Sequence, residues 1–358
     1  MAHPKSRRLA VLVACALFVP ALAAAAAHGA GDPAVSLEPT SARALEVEFG
    51  ASLRSARLEA ADVTWRGGPT TTSTGETVDV RVSDALPVEA ATPTQWAEFL
   101  TGLTHGSEIS QLTLYVGTLD EVQGICGSNA LGCYGRDELV VPGETALDVS
   151  PEEVIRHEYG HHIAFHRSNP PWDAVEWGPK RWASAEDVCA RVGRKEAYPG
   201  DEGSNYALNP GEAWAETYRL LDERKAGIAT ASWRIVSPSF FPTEQAFQAA
   251  DEDVLQPWAA PQTTSHTRVF GKRTAKTWWI HLSTPLDGSL RINATVPSGG
   301  RYEVALVGAN HRTVVRRAQW VGQRAERLDG SICGQRSLFV RVTQEGTLGR
   351  VRVSATAP

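Results

Sequence analysis

The chain has no basic stripe with aromatic side chains interleaved, the footprint that a polyphosphate-binding surface requires. Its formal charge is −6, and residues 1–30 hold Lys5, Arg7 and Arg8 but no acid, so without them the balance is −6 − 3 = −9. A mildly acidic protein of this kind argues against nucleic acid as a partner. Closely spaced CxxC pairs are missing too, which argues against a cysteine zinc site. No internal repeat is present, so a solenoid or propeller has no support. The one long apolar run, Leu9 to Ala27, is broken by Pro20 and thins into alanine, so no stable membrane span is expected.

What that run does carry is the order of a secretory signal. Lys5, Arg7 and Arg8 precede it, small residues follow, and Ala25-Ala26-Ala27 offers a small-x-small cleavage site. Residues 1–27 are therefore expected to be a signal peptide and the protein to be secreted. The alternative is a lipid anchor at Cys15, because Leu12-Val13-Ala14-Cys15 resembles a bacterial lipobox; only six apolar residues precede Cys15, however, and the run continues past it. Four cysteines remain beyond the signal, and an even number in an exported chain favours disulfides. Cys126 and Cys133 bracket the turn-rich Gly127-Ser128-Asn129-Ala130-Leu131-Gly132, which a local bridge would pin; Cys189 and Cys333 are left to each other by elimination.

At 358 residues the chain can bury two cores. Residues 28–75, rich in Ala, Thr, Gly and Ser and ending in Gly67-Gly68-Pro69-Thr70-Thr71-Thr72-Ser73-Thr74-Gly75, read as a linker or pro-segment. Residues 76–258 read as an α+β domain. Strands are expected at Val78–Val82, Leu112–Val116 and Glu138–Val141, with helices opening at Thr92-Pro93 and spanning about 151–167, 183–192 and 210–224. Pro257 to Pro261 reads as an interdomain break. Residues 262–358 then show five or more short alternating segments (Trp278–Leu282, Leu290–Val296, Tyr302–Val307, Leu338–Val342, Val351–Val353), the pattern of a small all-β sandwich.

The chemistry-bearing segment is Ser150-Pro151-Glu152-Glu153-Val154-Ile155-Arg156-His157-Glu158-Tyr159-Gly160-His161-His162. Ser150 suits an N-cap, Pro151 the first helical position, and Glu153 completes a capping box. On that helix His157 and His161 are one turn apart, and Glu158 falls within roughly 100° of both. Two imidazoles can share one zinc ion there while the carboxylate lies beside the ion's water. Val154, Ile155, Tyr159, Ile163 and Phe165 make the helix apolar nearly all round, as in a domain centre. A chance HExxH on a surface helix is the bland alternative. Metzincins are excluded, because Ala164 and Arg167 stand where Gly and His would be, with His166 one residue out of register.

A third ligand is still needed. Asn209-Pro210 opens a helix that puts Glu212 and Glu216 on one face, four residues apart. His157-Glu158-Tyr159-Gly160-His161 followed by Glu212-Ala213-Trp214-Ala215-Glu216 resembles the gluzincin clan of metallopeptidases. The fifty-residue gap between His161 and Glu212 is nearer the anthrax-lethal-factor-like arrangement, with its Glu-x-x-Ala-Glu helix, than the thermolysin one. The resemblance covers about residues 110–225. It implies a zincin-like domain, zinc as cofactor, Glu212 as third ligand, Glu216 supporting a ligating histidine, and a peptide or protein substrate. It also implies that Tyr206 donates to the developing oxyanion; packing alone is its other reading. The region 262–358 resembles the accessory β-sandwiches behind the catalytic domains of secreted bacterial peptidases.

Alternatives stay open at several positions. Glu212 occupies the third helical position and could simply cap its helix. Glu186 lies nearer the thermolysin spacing but has no acid four residues on. His162 and His166 lie on the flank away from the His157–His161 arc, which suits structural roles, and the tryptophans between Trp172 and Trp182 could line a cleft or only pack. The rival to a secreted endopeptidase is an exported metal-binding or cell-envelope binding protein that keeps the scaffold without turnover.

Overall fold

A computed structural model describes residues 63–89, 92–229, 233, 235–321 and 325–358. The segment 1–27 expected as a signal peptide, with Cys15, and residues 28–62 lie outside that set.

The first sheet is built from five strands in the order β1 (Trp65–Thr71), β2 (Thr77–Ser83), β3 (Thr113–Gly117), β5 (Glu138–Pro142) and β4 (Cys133–Gly135). β1–β2 and β4–β5 pair antiparallel, while β2–β3 and β3–β5 are parallel. Parallel neighbours need a crossover. Helix α1 (Pro93–Thr101) lies between β2 and β3, and α2 (Leu119–Cys126) between β3 and β4. Val78, Val80, Val82, Leu114, Val116, Leu139 and Val141 bury one face of the sheet against α1 and the later helices.

Residues 67–71 are strand, not linker. Gly67 to Thr71 pairs residue for residue with Arg81 to Thr77, and only Thr72 to Glu76 forms the connecting turn. The expected boundary at 75 therefore falls inside a hairpin. Pro69 is tolerated because β1 is an edge strand, where a missing N–H leaves no ladder bond unmade.

Helices then follow: α3 (Pro151–Phe165), α4 (Ala174–Trp177), α5 (Lys180–Ala185), α6 (Val188–Gly193), α7 (Pro210–Lys225) and α8 (Glu244–Leu255). The single helix expected over 183–192 is two, because Asp187 sits at φ 51 in the left-handed region and breaks it. Helix α5 begins after Pro179, which has no side-chain acceptor to cap it. Asp253 on α8 supplies one, accepting the N–H groups of Arg181 (2.9 Å) and Trp182 (2.8 Å). Burial pushes the Asp253 carboxyl up to about 6, against the pull of those bonds and of Arg181.

Among the described residues after Trp258 the regular elements are all strands. β7 (Thr277–Ser283), β9 (Arg301–Gly308), β10 (Val314–Val321) and β12 (Ser337–Gln344) form one antiparallel sheet in the order β10-β9-β12-β7. β6 (Gln262–Phe270), β8 (Gly288–Thr295), β11 (Ala325–Ile332) and β13 (Gly349–Ala357) form another in the order β11-β8-β13-β6. Alternate residues of both sheets, among them Ile280, Ile292, Val304, Val340 and Val353, meet in one apolar core distinct from that of residues 78–254. β8 shows the reason plainly, with buried and exposed residues in strict alternation.

Cys189 bridges Cys333, and Cys126 bridges Cys133. The first crosses from α6 to the turn after β11, where Arg336 also pairs with Asp187 at 2.8 Å and with Asp287. Lys180 adds to this seam, donating to the carbonyls of Pro170 (2.7 Å) and Asp287 (3.0 Å) under the rings of Trp172 and Trp258. Among the described residues no helix is long and apolar enough to cross a membrane.

Candidate metal centre

Helix α3 starts as its first residues dictate. Ser150 Oγ accepts from Glu153 N (3.2 Å) and Glu153 Oε2 accepts from Ser150 N (3.0 Å), with Pro151 at the first position. Val154, Ile155, Tyr159 and Ile163 are buried, whereas Phe165, expected to be buried, is 42% exposed at the last turn.

The partner helix α7 begins at Asn209, whose Oδ1 accepts from Gly211 N at 3.0 Å. The backbone N–H of Asn209 goes to Tyr206 O (3.0 Å), so Glu212 is not spent on a capping box. What brings α3 and α7 together is a pair of small residues. A Cβ on Gly160 would stand 2.7 Å from Ala215 Cα, and Trp214 Nε1 donates to Gly160 O at 2.7 Å. Two backbones approach this closely only where a side chain is missing.

That crossing sets four buried or half-buried polar side chains face to face between the two helices. His157 Nε2 lies 3.2 Å from Glu212 Oε2, and His161 Nε2 lies 3.4 Å from Glu212 Oε1. On its other nitrogen, His157 Nδ1 lies 3.2 Å from Glu216 Oε2. Arg219 holds Glu216 in turn, Nε to Oε2 at 3.0 Å and Nη2 to Oε1 at 2.7 Å. One donor atom from each of His157, His161 and Glu212 lies within 4.8 Å of the other two. Two ligands about 2.0–2.1 Å from a tetrahedral zinc stand roughly 3.4 Å apart, so the nitrogen–oxygen separations here suit one ion. The donor set of two imidazoles and a carboxylate suits zinc chemically.

The electrostatics follow from burial plus close carboxylates. Burial alone would push His157 down, but Glu212 and Glu216 bonded to it, with Glu158 adding its charge, raise it to about 10. Burial would raise Glu212 and Glu216; His161 and His157 hold the first, and His157 and Arg219 the second, well below the usual carboxylate range. An ion entering this centre must therefore displace the proton on His157.

Glu158 is half-buried beside the same helix face, with no hydrogen bond among the described residues. Gly132, the residue before β4, packs on it: a Cβ there would lie 3.3 Å from Glu158 Cγ. Tyr206 sits in a 3-10 turn at Tyr206–Leu208, and its hydroxyl donates to Glu212 Oε2 at 2.6 Å. Burial first, then the Glu212 carboxylate, push the phenol far up, so it stays protonated.

Glu186 is not among the converging donors. It is buried against Arg191 (3.3 Å), and burial pushes it up to about 7. Tryptophans 172 and 177 stack on each other at 4.9 Å, and Trp182 is fully buried against Trp214. His162 and His166 face Asp137 on the other flank of α3. Sequence reasoning missed Arg219, whose signal was its charge three residues beyond Glu216, and Asp137, which lies in a two-residue turn.

No protein-family model matches the chain, and no curated protein does. Among solved structures it is similar to a Yersinia pseudotuberculosis-derived mitogen (10% identity, TM-score 0.21, 27% of this chain and 87% of that one). It is also similar to Legionella pneumophila aminopeptidase A (10%, 0.22, 77% and 36%). A further likeness is to IMPa from Pseudomonas aeruginosa, a metallopeptidase solved with an O-glycopeptide (8%, 0.18, 85% and 53%). The chain spans 36% and 53% of the lengths of these two peptidases. At such scores the likenesses do not bear on what the chain does.

Proposed function

We propose that this chain is an exported, zinc-dependent endopeptidase of the gluzincin kind. In this reading a zincin-like domain spans 76–258, extended by the β1–β2 hairpin, and an accessory β-sandwich spans 262–358. The observation that carries it is the convergence of His157, His161 and Glu212 within 4.8 Å, with Glu158 on the same helix face. Those three residues would hold the zinc ion. Zinc bound there supplies Lewis-acid polarisation of the scissile carbonyl and activation of water.

The remaining work belongs to the chain's own groups. Glu158 takes a proton from the attacking water and delivers it to the leaving amine, and it has no competing hydrogen bond among the described residues. Glu216 accepts from His157 Nδ1, which fixes the tautomer and turns Nε2 toward Glu212; Arg219 keeps Glu216 ionised and in place. Tyr206, a neutral phenol beside Glu212, donates to the oxyanion as charge develops on the carbonyl oxygen. Among the described residues β4 is the last strand of its sheet, and its lead-in Gly132 packs on Glu158, so its outer edge suits an extended peptide. The two disulfides suit an oxidising compartment.

Digestion of a denatured protein with and without a chelator tests the reading. Glu158→Gln keeps the size of the side chain and removes the base, so turnover should vanish while bound zinc is nearly unchanged. Substantial hydrolysis by that variant would overturn the mechanism. Zinc-loaded wild type without hydrolysis would leave a non-catalytic metal-binding protein.

A further inference from the structure

Helix α3 carries a second pair of histidines at the same four-residue spacing. His162 and His166 follow His157 and His161 by five residues, a rotation of about 140° around the axis, so they serve a different flank. Facing them is Asp137, from the two-residue turn that joins β4 to β5. His166 Nε2 lies 2.6 Å from Asp137 Oδ1, His162 Nδ1 lies 3.5 Å from the same oxygen, and the three donor atoms lie within 4.8 Å of one another.

Two observations mark this cluster as more than a chance contact. The first is the tautomer of His162, which is fully buried. Its Nε2 lies 2.9 Å from the backbone carbonyl of Glu108, which can only accept, so Nε2 carries the proton. In the neutral ring Nδ1 then has a lone pair, which lies 3.2 Å from the Tyr134 hydroxyl and 3.5 Å from the Asp137 carboxylate. If the Tyr134 hydroxyl turns away, two electron-rich atoms stand toward each other, an arrangement a cation between them would stabilise. A backbone carbonyl that fixes the far nitrogen of an imidazole is also the usual outer partner of a metal-ligating histidine.

The second observation is the turn itself. Arg136 and Asp137 both have positive φ, 37° and 67°, in a tight hairpin where glycine or asparagine would be at ease. The turn sets the Asp137 carboxylate against His166 on α3, and Tyr134 Oη holds the turn there by accepting from Asp137 N at 3.0 Å.

We propose that Asp137, His162 and His166 form a second site for a late first-row divalent cation, zinc by its donor set, which clamps the β4–β5 turn to α3. The clamp lies outside the His157–His161–Glu212 centre and does not depend on it. Its effect would be to fix the edge strand β4, whose far end is already pinned by the Cys126–Cys133 bridge. The competing arrangement is a hydrogen-bonded network without metal, in which Tyr134 Oη, 3.2 Å from His162 Nδ1, donates to it and His166 Nε2 donates to Asp137 Oδ1 at 2.6 Å, a pair that a shared zinc ion would have to part.

The test uses the full mature chain with Zn2+ as the probe, its stoichiometry read by equilibrium dialysis and elemental analysis. Wild type should hold two equivalents. His166→Gln and Asp137→Asn should each hold one, the second being nearly isosteric so that folding is preserved; circular dichroism checks both. Glu212→Ala should likewise hold one, and the double variant Glu212→Ala/His166→Gln none. Amide exchange over residues 133–138 should slow when wild type is loaded with zinc and should not slow in His166→Gln. Equal zinc in wild type, His166→Gln and Asp137→Asn would overturn the second site in favour of the Tyr134 network. Zinc lost from His166→Gln but retained in Glu212→Ala would uphold it while refuting the peptidase centre.

Discussion

Replacing Gly160 by alanine perturbs the crossing that assembles the candidate centre. The new Cβ would lie 2.7 Å from Ala215 Cα and 3.1 Å from Ala215 O, both backbone atoms that cannot swing aside. Real Cβ contacts essentially never fall below 3.0 Å and ordinary contact begins at 3.4 Å, so α3 and α7 must part by between 3.0 − 2.7 = 0.3 Å and 3.4 − 2.7 = 0.7 Å. Overpacking of this kind costs about 1–3 kcal/mol, and exchanging a helical glycine for alanine offsets about 1 kcal/mol. The net loss of stability is then roughly 0–2 kcal/mol. The same movement carries His157 and His161 away from Glu212 and Glu216, and a misplacement near 1 Å can cost on the order of 100-fold in function. Zinc affinity and hydrolysis should therefore fall far more than stability does. Urea unfolding of the metal-free protein, alongside zinc titration against a chromophoric chelator, separates the two effects. A Gly160→Ala protein with wild-type zinc affinity would refute the claim that this crossing positions the centre.

Two further outcomes follow from groups outside the centre. Glu186 has its carboxyl pushed up by burial from 4.5 to about 7, with Arg191 opposing, so the folded state keeps a proton that the unfolded state releases. Its contribution to stability is present below pH 4.5 and is lost as pH rises to about 7, on the order of 3 kcal/mol. Glu186→Gln should remove that slope; a wild-type-minus-variant difference that stays flat across those pH values would contradict it. The disulfides should differ in weight, because one closes a sequence separation of 7 and the other of 144. Loop-closure entropy assigns them about 2.5 and about 5 kcal/mol. Cys189→Ala/Cys333→Ala should lower the unfolding midpoint more than Cys126→Ala/Cys133→Ala, and the reverse order in denaturant melts would refute the entropic account.

Local signals in the sequence were readable where local chemistry decides the structure. The Ser150–Glu153 capping box, Pro151 and the alternation over β8 each appear in the fold as residue types predict. Nonlocal pairing was not legible. Gly67 to Thr71 has turn composition, and only its register with β2, set by the hairpin and by Pro69 at an edge, makes it a strand. The break at Asp187 likewise needed tertiary support: Asp253, sixty-six residues later in the chain, caps α5, and Arg336 reaches Asp187 from beyond β11. At the centre, helical spacing placed His157 with His161 and Glu212 with Glu216, but not the two pairs against each other. That depends on Gly160 meeting Ala215, a contact between residues fifty-five apart whose small size has no meaning until the helices cross.

The central claim is that Glu212 completes the zinc centre with His157 and His161, and zinc content of folded single variants tests it most directly. Glu212→Ala should lose the zinc of that centre, Glu216→Ala should weaken it by roughly 10- to 100-fold, and Glu186→Ala should leave it in place. Circular dichroism confirms that each variant is folded before its metal is counted. A folded Glu212→Ala protein with the full zinc content of wild type would contradict the account, and zinc lost from Glu186→Ala instead would move the third ligand to that residue.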